Sequence, residues 1–392
     1  MKAAFRVDAS IRIGTGHLVR CLTLADAIRK NGGETHFICR QLEGFQAESV
    51  TGKGHELHLL PDVETREESA QSLEPGPSHA EWLSCSQEED VRDTLKVLET
   101  LGKMDWIITD HYALDSRWHR KVRSCTKKIL VIDDLEDRAH DCDLLLDQNV
   151  CSDMASRYTE LVPFACQLLT GPGYALLRPE FSKERENLSE KDGVVNRIFV
   201  FMGGADPDNE TGKVLQAIDL LKRPDIRVDV VIGGANKNRA MILEQAGRMP
   251  QVTCHENVEN MARLMGKADL AIGAAGTTTW ERCCLGLPSL LIVLAENQKP
   301  IAEAIERVQA GRNLGNHKDV SADSLAEAIE KMLLSSELLR RYSENAQRLV
   351  DGQGTFRVFQ RMELGGLHLK DVKKNERQFY NTHSGLFTAL DK

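Results

Sequence analysis

The chain has 392 residues, 41% of them hydrophobic and 28% charged, which is ordinary for a globular protein and long enough for two cored domains. A formal net charge of −9 and a pI near 5.8 argue against broad electrostatic capture of nucleic acid or anionic lipid, so neither is an expected partner. No apolar run reaches the roughly 18 residues that span a bilayer, the opening MKAAFRVDAS puts Arg6 and Asp8 where a secretion signal needs an apolar core, and the ten cysteines lack CxxC spacing, so a soluble cytoplasmic protein with free thiols is expected.

In chain order, the runs KAAFRV, THFIC, WIITD, KILVID, RIFVFMGG, VDVVIGG, VTC, DLAIGAAG and SLLIVL read as buried strands. Helix-period segments lie between many of them, at residues 18–30, 90–101, 209–222, 238–248, 258–266 and 278–285. Such alternation predicts an α/β protein with parallel sheets and right-handed crossovers. Residues 62–90 are acidic, rich in Ser, Glu and Pro, and read as an elaborated surface loop with at most a short helix around Trp82. The polar stretch LSEKDGVVN precedes a strong strand with its own glycine loop, where a second sheet restarts. The predicted organisation is two Rossmann-like domains, residues 1–175 and 176–352, followed by an extension at 353–392 with no obvious core of its own.

Gly14-Thr15-Gly16-His17 stands between a strand and a helix. The glycines fit either a plain β–α turn or a close backbone approach to an anion at the helix end. His17 adds a group that can act as a general base at the carboxyl edge of a parallel sheet, and the positive helix end favours its neutral form. Asp110-His111-Tyr112 leaves a buried strand at the same edge, and either lines a cleft or caps the helix carrying Trp118. The acids of VIDDLEDRAHDCDLLLD match no ligand spacing and read as strand-end turns and solvated carboxylates, so no metal is expected. Gly203-Gly204 opens the second half as a credible diphosphate loop, with Asp and Asn ready to cap the next helix. A later strand ends at Gly276 and the threonines 277–279, expected to cap a helix that bears Glu281, a carboxylate able to hold a ribose diol. Alternatively, Glu281 is an exposed first-turn acid favoured by the helix dipole.

The segments GTGHLVR, GGAD, ENVENMARLMGKADLAI, GTTTWE and ENQ together resemble nucleotide-sugar enzymes of the GT-B type, among them the N-acetylglucosaminyltransferases of peptidoglycan synthesis. FRVDASIRIGTGHLVRCLTLA, DHYALD, CDLLLDQN, LVPFACQLLTGPGYALLRPEF and MGGADPDN are more similar still to the UDP-2,4-diacetamido-2,4,6-trideoxy-β-L-altropyranose hydrolases of pseudaminic (nonulosonic) acid synthesis, a route to flagellin glycosylation. The resemblance covers residues 1–350. It implies two Rossmann-like domains whose parallel sheets face a central cleft, a UDP-sugar bound between them, and UDP mainly on the C-terminal one. Glu281 would then hold the ribose, Gly203, Gly204, Gly276, Thr277 and Thr278 the diphosphate, and Asn257 and Val258 would face the uracil. His17 falls on the catalytic base, while Gly14, Gly16, Asp110, His111, Tyr112, Tyr174, Arg178, Asn297 and Gln298 are carried over as sugar-site residues. The implied reaction is metal-independent and needs no cofactor: His17 activates water against the anomeric carbon, with inversion and loss of UDP. The alternatives are a glycosyltransferase on the same scaffold and a non-catalytic sensor. A monomer suffices for each. The tail LHLKDVKKNERQFYNTHSG faintly resembles the start of an acetyltransferase domain and is read as a truncated remnant or appendage.

Overall fold

KAAFRV becomes strand β1, Lys2–Val7, whose alternating side chains serve two cores: Ala3, Phe5 and Val7 on one face, Ala4 on the other. The computed structural model to which β1 belongs describes residues 1–61, 77, 79–150, 154, 156–189 and 191–364. The first of its two compact units comprises Met1–Asn149, a following stretch that ends at Leu176, and Thr355–Glu363. Its sheet adds β2 (Glu34–Arg40), β3 (Glu56–Leu60), β4 (Met104–Asp110), β5 (Thr126–Ile132), β6 (Leu144–Asp147) and β7 (Gln167–Thr170). All pairings are parallel and the order is β3-β2-β1-β4-β5-β6-β7. Helix Gly16–Lys30 buries Leu18, Cys21, Leu22, Leu24, Ala25 and Ile28 on one face of this sheet, as its period requires. The opposite face is covered by Val91 and Leu98 of helix Gln87–Leu101 and by Trp118 and Val122 of helix Ser116–Val122.

The other unit, dominated by Leu177–Gly354, holds a six-stranded parallel sheet. Its strands are β8 (Arg197–Phe201), β9 (Arg227–Ile232), β10 (Val252–Glu256), β11 (Leu270–Ala274), β12 (Ser289–Val293) and β13 (Arg312–Asn316), in the order β10-β9-β8-β11-β12-β13. Both sheets are doubly wound. The strand order reverses between β1 and β4 in the first and between β8 and β11 in the second, and loops leaving such neighbours part to opposite faces and open a crevice at their carboxyl ends.

Several elements differ from the sequence expectation. Strands β3, β6, β7 and β13 carry too few apolar residues, or too short a run, to register as buried strands. The helix expected from residue 90 starts at Gln87, because Ser86 and Glu89 close a capping box. The one expected from residue 258 starts at Met261, where Asn260 Oδ1 accepts from Arg263 N at 2.9 Å. Of the expected loop at 62–90, residues 62–76 and 78 lie outside the described residues, and a 3₁₀ turn spans Ala80–Leu83 around Trp82. The expected C-terminal extension begins with helix Gly354–Leu364, whose Val358, Phe359 and Met362 are buried in the core of the first unit; residues 365–392 lie outside the described residues. Among the described residues, all nine cysteines are free and no helix is long and apolar enough to cross a membrane.

Arg6 is an anomaly within an apolar strand, and its surroundings account for it. It is 1% exposed, forks onto Asp8 (2.6 and 2.9 Å), and grips Asp90 from helix Gln87–Leu101 through Nε at 3.1 Å and Nη2 at 2.5 Å. Arg40 of β2 donates to the same Asp90 at 2.9 Å, as does Trp118 Nε1, also at 2.9 Å. Two arginines and two aspartates thus neutralise each other in the interior. Burial alone would raise the Asp90 pKa, but the charge and hydrogen bonds of Arg6 together with the Arg40 charge outweigh it and hold the carboxyl below its ordinary range.

Candidate functional site

The first unit's crevice is built by the loops after β1 and β4. After β1 the backbone folds back, with Gly14 N donating to Ser10 O at 2.8 Å, and Gly14 takes φ +79°, a conformation that costs glycine little. Thr15 sits at the N-cap of helix Gly16–Lys30 without a side-chain cap bond, and the first turn carries no acid. Gly16 and His17 therefore begin a helix whose positive end no side chain of its own neutralises.

His17 Nδ1 lies 2.6 Å from Asp110 Oδ1, at the last residue of β4. Asp110 is fully buried, and Arg20, one helical turn beyond His17, grips both its oxygens at 2.6 Å through Nε and Nη2. Burial pushes the Asp110 pKa up; Arg20 and His17 together outweigh it and hold the carboxyl well below its usual range. An ionised Asp110 accepts from Nδ1–H, which fixes the tautomer and leaves Nε2 with its lone pair. The 3.2 Å approach of Arg20 Nη2 to Nδ1 is then that of two donors sharing one carboxylate.

Tyr112 presents its ring edge-to-face to His17, centroids 4.6 Å apart, and donates its hydroxyl to Asp134, which Arg20 Nη1 also meets at 3.1 Å. Trp82 stacks on Tyr112 at 5.3 Å and lies 6.1 Å from the His17 ring. Arg20, Asp134 and Trp82 carry no motif that marks them. Only the His17–Arg20 spacing, one helical turn, is a signal in the sequence. Asp134, read as a turn or solvated acid, is in fact paired on both sides.

The remaining first-unit candidates are placed elsewhere. His111 is 4% exposed and pairs with Asp8 at 3.2 Å in the Arg6 cluster, where burial lowers its pKa and Asp8 opposes the shift. Tyr174, in the 3₁₀ turn Pro172–Tyr174, packs into the core beside helix Gly16–Lys30.

In the second unit, the loop after β8 holds Gly203 at φ +96°, and Gly204 packs against Gly233 so closely that a Cβ there would fall 2.2 Å from Gly204 O. The first donors of helix Glu210–Leu221 are taken: Asp206 accepts from Glu210 N (2.8 Å) and Thr211 N (3.0 Å), and Asn209 from Gly212 N (3.2 Å). Side chains of the loop itself thus occupy these donors at the helix end. After β11, Gly276 leads to Thr277, the N-cap of helix Thr278–Cys284, which makes no side-chain cap bond, contrary to the expected threonine cap.

Behind that turn lies Arg282, 1% exposed, donating Nη2 to Ala274 O at 2.8 Å and Thr279 Oγ1 at 3.0 Å. Its Nε and Nη1 have no hydrogen-bond partner among the described residues, and burial pulls its pKa down to about 10. It places a buried cation whose hydrogen bonds go to Ala274 O and Thr279 Oγ1 beside the turn, and no sequence motif announces it. Glu281, also in this helix, is 8% exposed, not the solvated first-turn acid of the bland alternative. Its Oε1 lies 3.4 Å from Arg178 Nη2; burial raises its pKa and Arg178 partly opposes this. Arg178 also meets Glu180 at 3.2 Å. Asn297 and Gln298 form a 3₁₀ turn after β12, with Gln298 Oε1 accepting from Leu294 N at 3.0 Å, while Asn257, at φ +50°, and Val258 follow β10. All four of these loops leave the carboxyl ends of one sheet.

Residues 197–355 match the Glycosyltransferase family 28 C-terminal domain. The chain is 25% identical over 362 residues to the spore coat polysaccharide biosynthesis protein SpsG of Bacillus subtilis, covering 91% of this chain and 96% of that one. It is 29% identical over 303 residues to the UDP-2,4-diacetamido-2,4,6-trideoxy-beta-L-altropyranose hydrolase of Campylobacter jejuni, covering 77% and 95% respectively. The resemblance drawn from the motifs is thereby borne out. Among solved structures, MurG of Acinetobacter baumannii superposes with a TM-score of 0.62 at 13% identity, over 93% of this chain and 99% of that one. The fold is of the GT-B type, built from two parallel-sheet Rossmann-like domains.

Proposed function

We propose that the chain is a nucleotide-sugar hydrolase that splits a UDP-linked 2,4-diacetamido-2,4,6-trideoxyhexose into free sugar and UDP, in nonulosonic acid synthesis. The observation that carries this reading is the His17 Nδ1 contact with a buried, Arg20-clamped Asp110, which leaves Nε2 as a base. Nε2 takes a proton from water as the water oxygen attacks the anomeric carbon. The C–O bond to UDP breaks on the opposite side with its electron pair, so the configuration inverts. Charge developing on the diphosphate is met by backbone N–H groups at Gly203, Gly204 and the Gly276–Thr278 turn, with Arg282 behind that turn. Glu281 holds the ribose, and Asn257 and Val258 border the uracil. Gly14 shapes the turn that presents His17, and Tyr112 walls the sugar side, while Asp110 acts through His17. Arg178, Asn297 and Gln298 remain assigned to the sugar, while Tyr174 belongs to the core. No step requires a metal or cofactor, and a single chain in the cytoplasm suffices.

The family 28 match favours one rival, transfer of the sugar to an acceptor. Incubation with the UDP-diacetamido sugar alone separates the two. Hydrolysis yields stoichiometric UDP and reducing sugar without any acceptor; absence of both from the wild type overturns the reading. Glu281→Ala is expected to weaken UDP binding about 10- to 100-fold by calorimetry, the worth of hydrogen bonds to a charged group. Unchanged affinity would remove Glu281 from the ribose.

A further inference from the structure

We propose that the first unit carries a transition-metal site suited to Zn²⁺ at the edge of its sheet, with His36 Nδ1, His58 Nε2 and Glu56 Oε2 as ligands. It lies apart from the hydrolytic machinery and is independent of that reading.

The register builds it. β2 and β3 run parallel with His36 opposite Glu56 and Ile38 opposite His58, and the two-residue period sends His36, Glu56 and His58 to one face. His36 Nδ1 lies 3.3 Å from His58 Nε2 and 3.1 Å from Glu56 Oε2, and His58 Nε2 lies 4.0 Å from Glu56 Oε2. Ligand atoms about 2.0–2.1 Å from a tetrahedral zinc stand about 3.3 Å apart, so the three need to move little to bind one ion.

The hydrogen bonding points the same way. His36 is 1% exposed, and its Nε2 lies 2.8 Å from Glu34 Oε1. Donation to that carboxylate puts the His36 lone pair on Nδ1, facing an imidazole nitrogen and a carboxylate oxygen. His36 Nδ1, His58 Nε2 and Glu56 Oε2 thus converge on one point, where each is able to offer an electron pair to a cation. Glu34 completes the carboxylate–histidine arrangement that orients metal-bound imidazole, and Lys2 at 3.1 Å balances its charge from outside. Glu56 is largely exposed and His58 partly so, which gives the ion a path in and leaves a fourth position to water. His36 and Glu56 sit near the amino ends of their strands, whereas His17 follows the carboxyl end of β1. The ion would clamp the edge strand β3 to β2, a structural function.

The test uses the full chain, stripped with chelator and titrated with Co²⁺, then Zn²⁺. One equivalent of Co²⁺ should bind with the visible bands of four-coordinate cobalt and be displaced by Zn²⁺. His58→Gln should weaken binding at least about tenfold, and Glu34→Gln, which removes no ligand, about 10- to 100-fold. Zn²⁺ should raise the unfolding temperature of the wild type but not of His58→Gln, the two melting alike in chelator. No stoichiometric uptake by the wild type, or wild-type affinity in His58→Gln, overturns the site; in those cases shared protons hold the cluster together.

Discussion

His17→Asn lowers the rate of UDP release by about two to four orders of magnitude, the worth of a general base, while UDP affinity stays at the wild-type value. The fold should survive, because Asp110 keeps both bonds from Arg20 when the imidazole is gone. The deficit therefore belongs in kcat, and single-turnover measurement with the UDP-diacetamido sugar reads it directly. Release at the wild-type rate would strip His17 of its role and leave the hydrolase reading in need of another base. Asp110→Asn is the less informative variant: it loses activity too, but it also leaves the Arg20 charge buried with only Asp134 to answer it.

The largest effect on stability is expected at Asp90. Asp90→Ala removes one partner each from Arg6 and Arg40, both buried cations, and the acceptor of Trp118 Nε1 at once. Breaking a buried pair from one side costs about 3–5 kcal/mol, a large share of the 5–15 kcal/mol typical of folded proteins. Denaturant unfolding followed by a probe in the first unit measures it, and a loss below about 1 kcal/mol would show that the cluster relaxes or admits water. The same residues set an acid limit. The Asp90 and Asp8 carboxyls are held below their ordinary range in the folded state, so the stability they contribute is present above pH about 4 and is lost as the pH falls through their folded values.

Much of this architecture is legible in the chain because buried parallel strands are continuous apolar runs, as KILVID and SLLIVL show. The strands that escaped have other reasons to pair. β13, RNLGN, is half-buried throughout, and β3 alternates Glu and His with leucine on an edge. Helix Pro179–Glu186 buries only Phe181, so it has no stripe to read. At the candidate site, His17 stands out because glycines and a helix start surround it. Its partner does not: Asp110 lies 93 residues away and meets His17 only because β4 crosses over to lie beside β1. In the sequence, Arg20 and Arg282 read as single cations on helices, and such cations are common on any surface. What distinguishes these two is burial, a property of the assembled sheets.

Helix Gly354–Leu364 carries one more consequence, for the order in which the protein comes into being. Val358, Phe359 and Met362 fill the core of a unit whose other residues were synthesised at the opposite end of the chain. On the ribosome, the second sheet can close before the first has all its parts. Until these residues emerge, the core that they share with Leu18, Leu22 and their neighbours is incomplete, and closure must join segments separated by the whole second unit. Such late, long-range completion favours slow maturation and exposure to aggregation or chaperones during synthesis.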